Sequence, residues 1–158
     1  MSDQGALGEK RELAAKVLRD VLERMGVDAE VSAFDDGERI ILDAHGSESG
    51  LVIGKKGATL DALQYLVGRI VFKKPGEAAI LVVDAEGYRN RREISLRSVA
   101  ERAAQKVERT RSEVVLKPMT AAERKIVHLH LKDHPKVETR SEGDEPQRSV
   151  IVSPRRRA

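Results

Sequence analysis

Leu51-Val52-Ile53-Gly54-Lys55-Lys56-Gly57-Ala58-Thr59-Leu60 is the stretch on which the reading of this chain turns. Three aliphatic residues run into a glycine, two lysines and a second glycine, and a new apolar pattern starts directly behind them. Glycines permit a tight turn with little bulk, so a sugar-phosphate backbone can approach the main-chain amides closely. Lys55 and Lys56 add charge at that point, and Ile53, Val52 and Leu60 are expected to line an apolar groove beside it. A nucleotide-triphosphate loop needs G-x-x-x-x-G-K-[ST]. Ser49 stands where its first glycine belongs and Lys56 where its magnesium-binding hydroxyl belongs, so that reading fails twice.

Working outward, Leu60, Leu63, Leu66, Val67, Ile70 and Val71 mark an amphipathic helix behind the loop, ended by Lys73-Lys74-Pro75-Gly76. Ala79-Ile80-Leu81-Val82-Val83 reads as a buried strand. On the N-terminal side, Leu13, Ala14, Val17, Leu18, Val21, Leu22 and Met25 place one stripe on a helix over residues 9 to 25, with Gly26 as its C-cap. Residues 27 to 34 alternate apolar with polar, Asp35-Asp36-Gly37 turns, and residues 39 to 44 return, which predicts a hairpin. The order through residue 84 is helix, strand, strand, short helix, helix, strand.

A second core is expected beyond Asp84. A helix from about Gly87 to Arg111 carries Leu96, Val99, Ala100, Ala103, Ala104 and Val107 on one face. Val114-Val115-Leu116 is a short strand, and Thr120 with Glu123 three residues later forms a capping box for a helix running to about Lys132. Residues 136 to 141 and 148 to 152 read as a terminal hairpin. Arg155-Arg156-Arg157 reads as a disordered basic tail over residues 154–158, adding non-specific attraction.

Composition narrows the function classes. The net charge of +3 hides an asymmetry: residues 1 to 50 carry 6 Lys and Arg against 12 Asp and Glu, while residues 51 to 158 carry 23 against 14. The basic part is where a polyanion is expected. Two Phe, two Tyr and no Trp leave too few rings for base stacking, which contributes about 1–3 kcal/mol per base in folds that rely on it. The absence of cysteine removes thiol catalysis and Cys-based zinc sites and fits a reducing compartment. The start of the chain has neither the basic end nor the apolar run of a secretory signal, and no run of about 18 apolar residues offers a membrane span. The expectation is a cytoplasmic protein with no membrane insertion.

Arg124 and His128 lie one turn apart on the predicted second-core helix and so project from one face. A guanidinium pairs with phosphate, and an imidazole one turn later can donate a hydrogen bond beside it. Between residues 89 and 111 there are 8 Lys and Arg against 3 Glu. Arg91, Arg102, Lys106 and Arg109 either extend a nucleic-acid path or form a solvated face laced with Glu93, Glu101 and Glu108. His128 and His130 point apart on a helix, and only His130 and His134 share a face without a third ligand, so no metal site is expected.

Gly54-Lys55-Lys56-Gly57, set in this element order, resembles the GxxG loop of a type II KH domain, which clamps the backbone of about four nucleotides. That similarity covers residues 8–84. Met119 to His128 and the segment Thr139 to Val152 resemble the R-3-H domain, a single-stranded nucleic-acid module, over residues 86–153. KH followed by R-3-H is similar to the Jag (KhpB/EloR) family of bacterial RNA-binding proteins, with its N-terminal Jag domain expected to be missing. The resemblance implies an α+β protein binding single-stranded RNA, with single-stranded DNA as a competing ligand. It also implies RNA-chaperone or post-transcriptional activity linked to cell-wall synthesis and cell shape, and a small single-KH protein (KhpA) as hetero-partner. The site residues it implies are Ile53, Gly54, Lys55, Lys56, Gly57, Arg92, Lys117, Arg124 and His128. No catalysis and no cofactor are expected, since the carboxylates are scattered. The rival reading is an adaptor that docks a KH partner, with RNA binding secondary.

Overall fold

The computed structural model describes residues 3–73 and 80–155, which divide into two compact units at Arg89/Asn90. In the first, α1 (Asp3–Arg24) is followed by β1 (Glu30–Asp35), β2 (Arg39–His45), α2 (Ser49–Ile53), a single 3-10 turn (Lys55–Gly57), α3 (Ala58–Val71) and β3 (Ile80–Ala85). This is the α-β-β-α-α-β order expected of a type II KH domain. The strands lie in the order β1-β2-β3, antiparallel between the first two and parallel between the last two.

The helix α1 begins six residues before the expected start. Gly5 and Gly8 both sit in open space there, and Leu7 packs against the core. One apolar contact and a propagating backbone ladder suffice to extend a helix that is already nucleated. Its end follows the sequence. Gly26 takes φ 71°, its N–H donates to the Glu23 carbonyl, and the Val27 N–H reaches back to Leu22, the paired bonds of a Schellman close. That turn occupies Val27, so β1 starts at Glu30 rather than Val27. Within the expected stripe, Ala14, Leu18 and Leu22 are buried, whereas Leu13 and Met25 are exposed.

The same correction applies to α3. Leu60, Leu63, Val67 and Val71 are buried, but Leu66 is 42% and Ile70 37% exposed. The segment Lys74–Gly76 expected to stop α3, and Ala79 at the expected strand start, lie outside the described residues. Val52 and Leu60 are fully buried core residues beside Ile40, Leu42 and Val83, so they do not line a groove; of the three, only Ile53 keeps partial exposure.

The outer edge of β3 is closed by side chains. The Val83 N–H donates to Gln64 Oε1 at 3.0 Å, and the Val83 carbonyl accepts from Arg89 Nε at 2.9 Å. Arg89 also reaches Asp61 at 2.8 Å, tying α3 to the strand it covers.

The second unit holds most of α4 (Tyr88–Thr110), then β4 (Val114–Val115), α5 (Ala121–Leu131), β5 (Val137–Glu142) and β6 (Ser149–Pro154). Its sheet runs β4-β6-β5 and is antiparallel throughout, so the expected helices on a small three-stranded sheet are present. Leu96, Ala100, Ala103, Ala104 and Val107 of α4 share a core with Val127, Leu131, Val137, Val150 and Val152. The capping box forms as predicted: the Glu123 N–H donates to Thr120 Oγ1, and the Thr120 N–H to Glu123 Oε2.

The expected tail is shorter than residues 154–158. Pro154 belongs to β6, and Arg155 is held by its N–H to the Lys136 carbonyl and by its guanidinium to the Val137 and Lys132 carbonyls. Arg156 and Arg157 lie outside the described residues. No helix among the described residues is long and apolar enough to cross a membrane.

Candidate nucleic-acid interface

The loop between α2 and α3 owes its shape to two glycines in left-handed conformations. Gly54 takes φ 70° and Gly57 φ 81°, with Lys56 between them also left-handed at φ 53°. Space as well as torsion demands glycine here. A Cβ on Gly54 falls 2.1 Å from Thr59 Oγ1, and one on Gly57 falls 2.8 Å from Cε1 of the Tyr88 ring. The loop is thus backed by Thr59 on one side and a tyrosine on the other, and it presents Lys55 and Lys56 outward, both exposed. A tight turn with two exposed lysines on its crest is a surface onto which a polyanion's backbone can settle. Tyr88 was not anticipated as part of this loop. It lies 31 residues downstream, and nothing in the local pattern links it to Gly57.

The Arg124/His128 face is built differently. The guanidinium of Arg124 is one-tenth exposed. Its Nη1 donates to the Met119 carbonyl at 2.8 Å, and its Nη2 pairs with Glu145 Oε1 at 2.7 Å. One turn on, His128 is half-buried with both ring nitrogens engaged, Nδ1 with Thr139 Oγ1 at 2.6 Å and Nε2 with Ser141 Oγ at 2.8 Å. Thr139 and Ser141 are two apart on β5 and share the face turned toward α5. Burial, and after it the charge of Arg124, holds the imidazole below its ordinary value. A cavity of about 360 Å³ opens beside His128, lined by Leu129, Lys132, Thr139 and Arg155 among others.

Arg92 gives its Nε to Glu123 Oε1 at 2.7 Å, the same carboxylate that closes the capping box. Lys117 stands exposed between β4 and α5. The structure therefore gathers Ile53 to Gly57 in the first unit and Arg92, Arg124 and His128 in the second. Missed from the sequence were Thr139, Ser141 and Glu145. The T-x-S spacing signals one strand face, but only the strand register says that this face meets His128.

His130 and His134, the pair sharing a face, are each taken by a glutamate of α4: Glu101 at 2.7 Å and Glu108 at 3.4 Å. Lys136 also binds Glu108, and it is the main reason that carboxyl is held below the usual carboxylate range. Arg102 bonds Ser98 and Arg97 pairs with Glu93, each contact spanning one turn within α4. Arg140 forks onto both oxygens of Glu113 at 2.9 and 3.0 Å, which lowers the Glu113 pKa.

Comparison with known proteins gives matches to both units. The KhpA/KhpB KH-domain model matches residues 11–83, and the R-3-H domain model matches residues 94–154. The chain is 41% identical to the RNA-binding protein KhpB of Clostridium symbiosum over 132 residues, 84% of this chain and 60% of that protein. It is 35% identical to KhpB of Lactiplantibacillus plantarum over 137 residues, covering 86% and 42%. With KhpB of Bacillus subtilis the identity is 30% over 141 residues, covering 88% and 68%. The chain thus spans 60% and 42% of the first two relatives' own length.

Proposed function

The chain belongs to the KhpB family of proteins with a KH and an R-3-H domain, and from that premise we propose that it binds single-stranded RNA. The Gly54–Gly57 loop clamps the strand's backbone, while α5 offers a second contact at Arg124 and His128, with Arg92 and Lys117 nearby in sequence or capping contact. The observation that carries this reading is the loop itself: two positive-φ glycines, fitted against Thr59 and Tyr88, turn the chain so that Lys55 and Lys56 stand exposed on it. Single-stranded DNA shares the backbone chemistry and is its natural competitor. In the cell we assign the chain to the cytoplasm, as an RNA chaperone or post-transcriptional regulator with a link to cell-wall synthesis and cell shape, and we assign it no catalytic step.

The test is the double variant Lys55→Asp with Lys56→Asp. If the two lysines neutralise two phosphates, the salt slope of single-strand binding drops by about 1.4. RNA retention at low salt equal to that of the wild type overturns the loop assignment.

A second reading, a protein adaptor for a single-KH partner of the KhpA type, is supported by the outer side of α3. Tyr65 is 72%, Leu66 42% and Ile70 37% exposed there, an apolar strip of the kind that marks interaction sites. Leu66→Asp is expected to abolish RNase-resistant co-purification of that partner while sparing RNA binding. Unchanged capture removes the strip from consideration.

A further inference from the structure

The contact between Arg124 and Glu145 poses a question that RNA binding alone does not answer. A guanidinium on an RNA-binding face is expected to meet phosphate, yet here Nη1 is fixed to the Met119 carbonyl and Nη2 already holds a carboxylate. The two partners differ sharply in exposure: the Arg124 side chain is 10% exposed and that of Glu145 58%. The carboxylate therefore comes from the solvent side, from the loop joining β5 to β6, and occupies Nη2 of a guanidinium whose side chain is otherwise buried.

Other carboxylates near this face are committed elsewhere. Glu123 is buried, closing the capping box and binding Arg92. Glu113 and Glu142 are both held by Arg140. Asp144, adjacent to Glu145, is the exception: its carboxylate makes no ion pair among the described residues, and its backbone carbonyl accepts from the Gln147 N–H. Among the described residues Glu145 is the carboxylate that pairs with Arg124.

We propose that Glu145 is a built-in competitor for the phosphate seat on Arg124, so that RNA engages the second unit only by displacing it. The proposal rests on the RNA-binding reading of α5. A carboxylate and a phosphate diester oxygen offer the same acceptor to Nη2, and both bind guanidinium in the same plane. Exchanging one for the other leaves the charge on Arg124 balanced before and after, so the wild-type protein gains little electrostatic free energy there. The pair can open because its carboxylate is solvated and regains water as it leaves, while the buried Arg124 guanidinium exchanges one anion for another. Glu145 thereby sets how concentrated the phosphate charge must be before Arg124 takes part. It is a specificity residue acting against isolated anions and in favour of a strand already held elsewhere.

Glu145→Gln keeps the side-chain shape and removes the competing charge. Measured with a single-stranded RNA oligonucleotide and the full chain, its affinity at low salt is expected to rise roughly three- to fivefold, the range that loss of such a pair allows. Its salt slope is expected to steepen by about 0.7, one phosphate on a single strand. Asp144→Asn is the control: it changes net charge equally in the same loop without touching Arg124, and it is expected to give a smaller gain. In the background of Arg124→Ala the gain from Glu145→Gln should vanish. Equal gains from the two loop variants, a gain that survives Arg124→Ala, or no gain from a folded Glu145→Gln each overturn the competitor role while leaving RNA binding intact. Absence of RNA binding by the wild type overturns the underlying reading and this proposal with it.

Discussion

On the loop Gly54–Gly57 the charges are exposed at Lys55 and Lys56, while the glycines beneath them fit against Thr59 and Tyr88. On α5 the order is reversed. The Arg124 guanidinium is drawn into the structure by Met119 and Glu145, and His128 by two hydroxyls of β5. In the first unit the backbone is the specialised part and the lysines are additions. In the second the charged and titratable side chains are themselves part of the packing. A residue of the first kind can be changed for its effect on binding alone, whereas a residue of the second kind carries stability and binding together.

The largest expected effect that separates the two arrangements is on stability. Arg124→Ala leaves the Met119 carbonyl without its donor and opens a gap at a buried position of α5. Since Glu145 is solvated, no buried charge is stranded, and the loss should be about 1–3 kcal/mol in urea unfolding. Lys55→Ala with Lys56→Ala should stay within about 0.5 kcal/mol of the wild type, as surface changes usually do. A pair of lysines that destabilised as much as Arg124 would erase the contrast.

The sequence anticipated the parts of this contrast that are local. The capping box at Thr120 and Glu123 and the C-cap at Gly26 depend on residues three to five apart, and both formed as read. The element order was also legible, because helix and strand periods differ and Gly26, Gly37 and Gly54 punctuate them. What a period cannot report is how far a face is covered. Leu66 and Ile70 sit in the apolar stripe of α3 yet remain exposed, and Val52 and Leu60, placed at a groove, are core. Nor does spacing reveal partners brought in from a distance. Glu145 lies 21 residues beyond Arg124 in a loop without a period, so Arg124 read as a surface cation until the fold placed a carboxylate on it. Tyr88 against Gly57 escaped for the same reason.

The smallest expected effect sharpens the comparison at His128, for among the described residues the loop of the first unit has no counterpart to a half-buried imidazole. Burial, and secondarily Arg124, depresses the His128 pKa in the folded protein. The unfolded chain returns it to the ordinary value, about 6.5. Above that value both states hold a neutral ring, and the stabilising contribution is fully present. As pH falls below it, the unfolded state binds a proton that the folded state refuses, and stability is lost until pH passes the folded pKa. His128→Gln removes this linkage while leaving an amide able to bond one of the two hydroxyls. Urea unfolding of the full chain between about pH 8 and 5 should therefore show the variant's deficit shrinking as the solution is acidified. Parallel curves would mean that the ring titrates as it does in the unfolded chain. Arg124→Ala provides the internal check: removing the neighbouring charge should raise the His128 pKa toward its ordinary value and narrow the window, tying the two motif residues together by a measurement that needs no RNA.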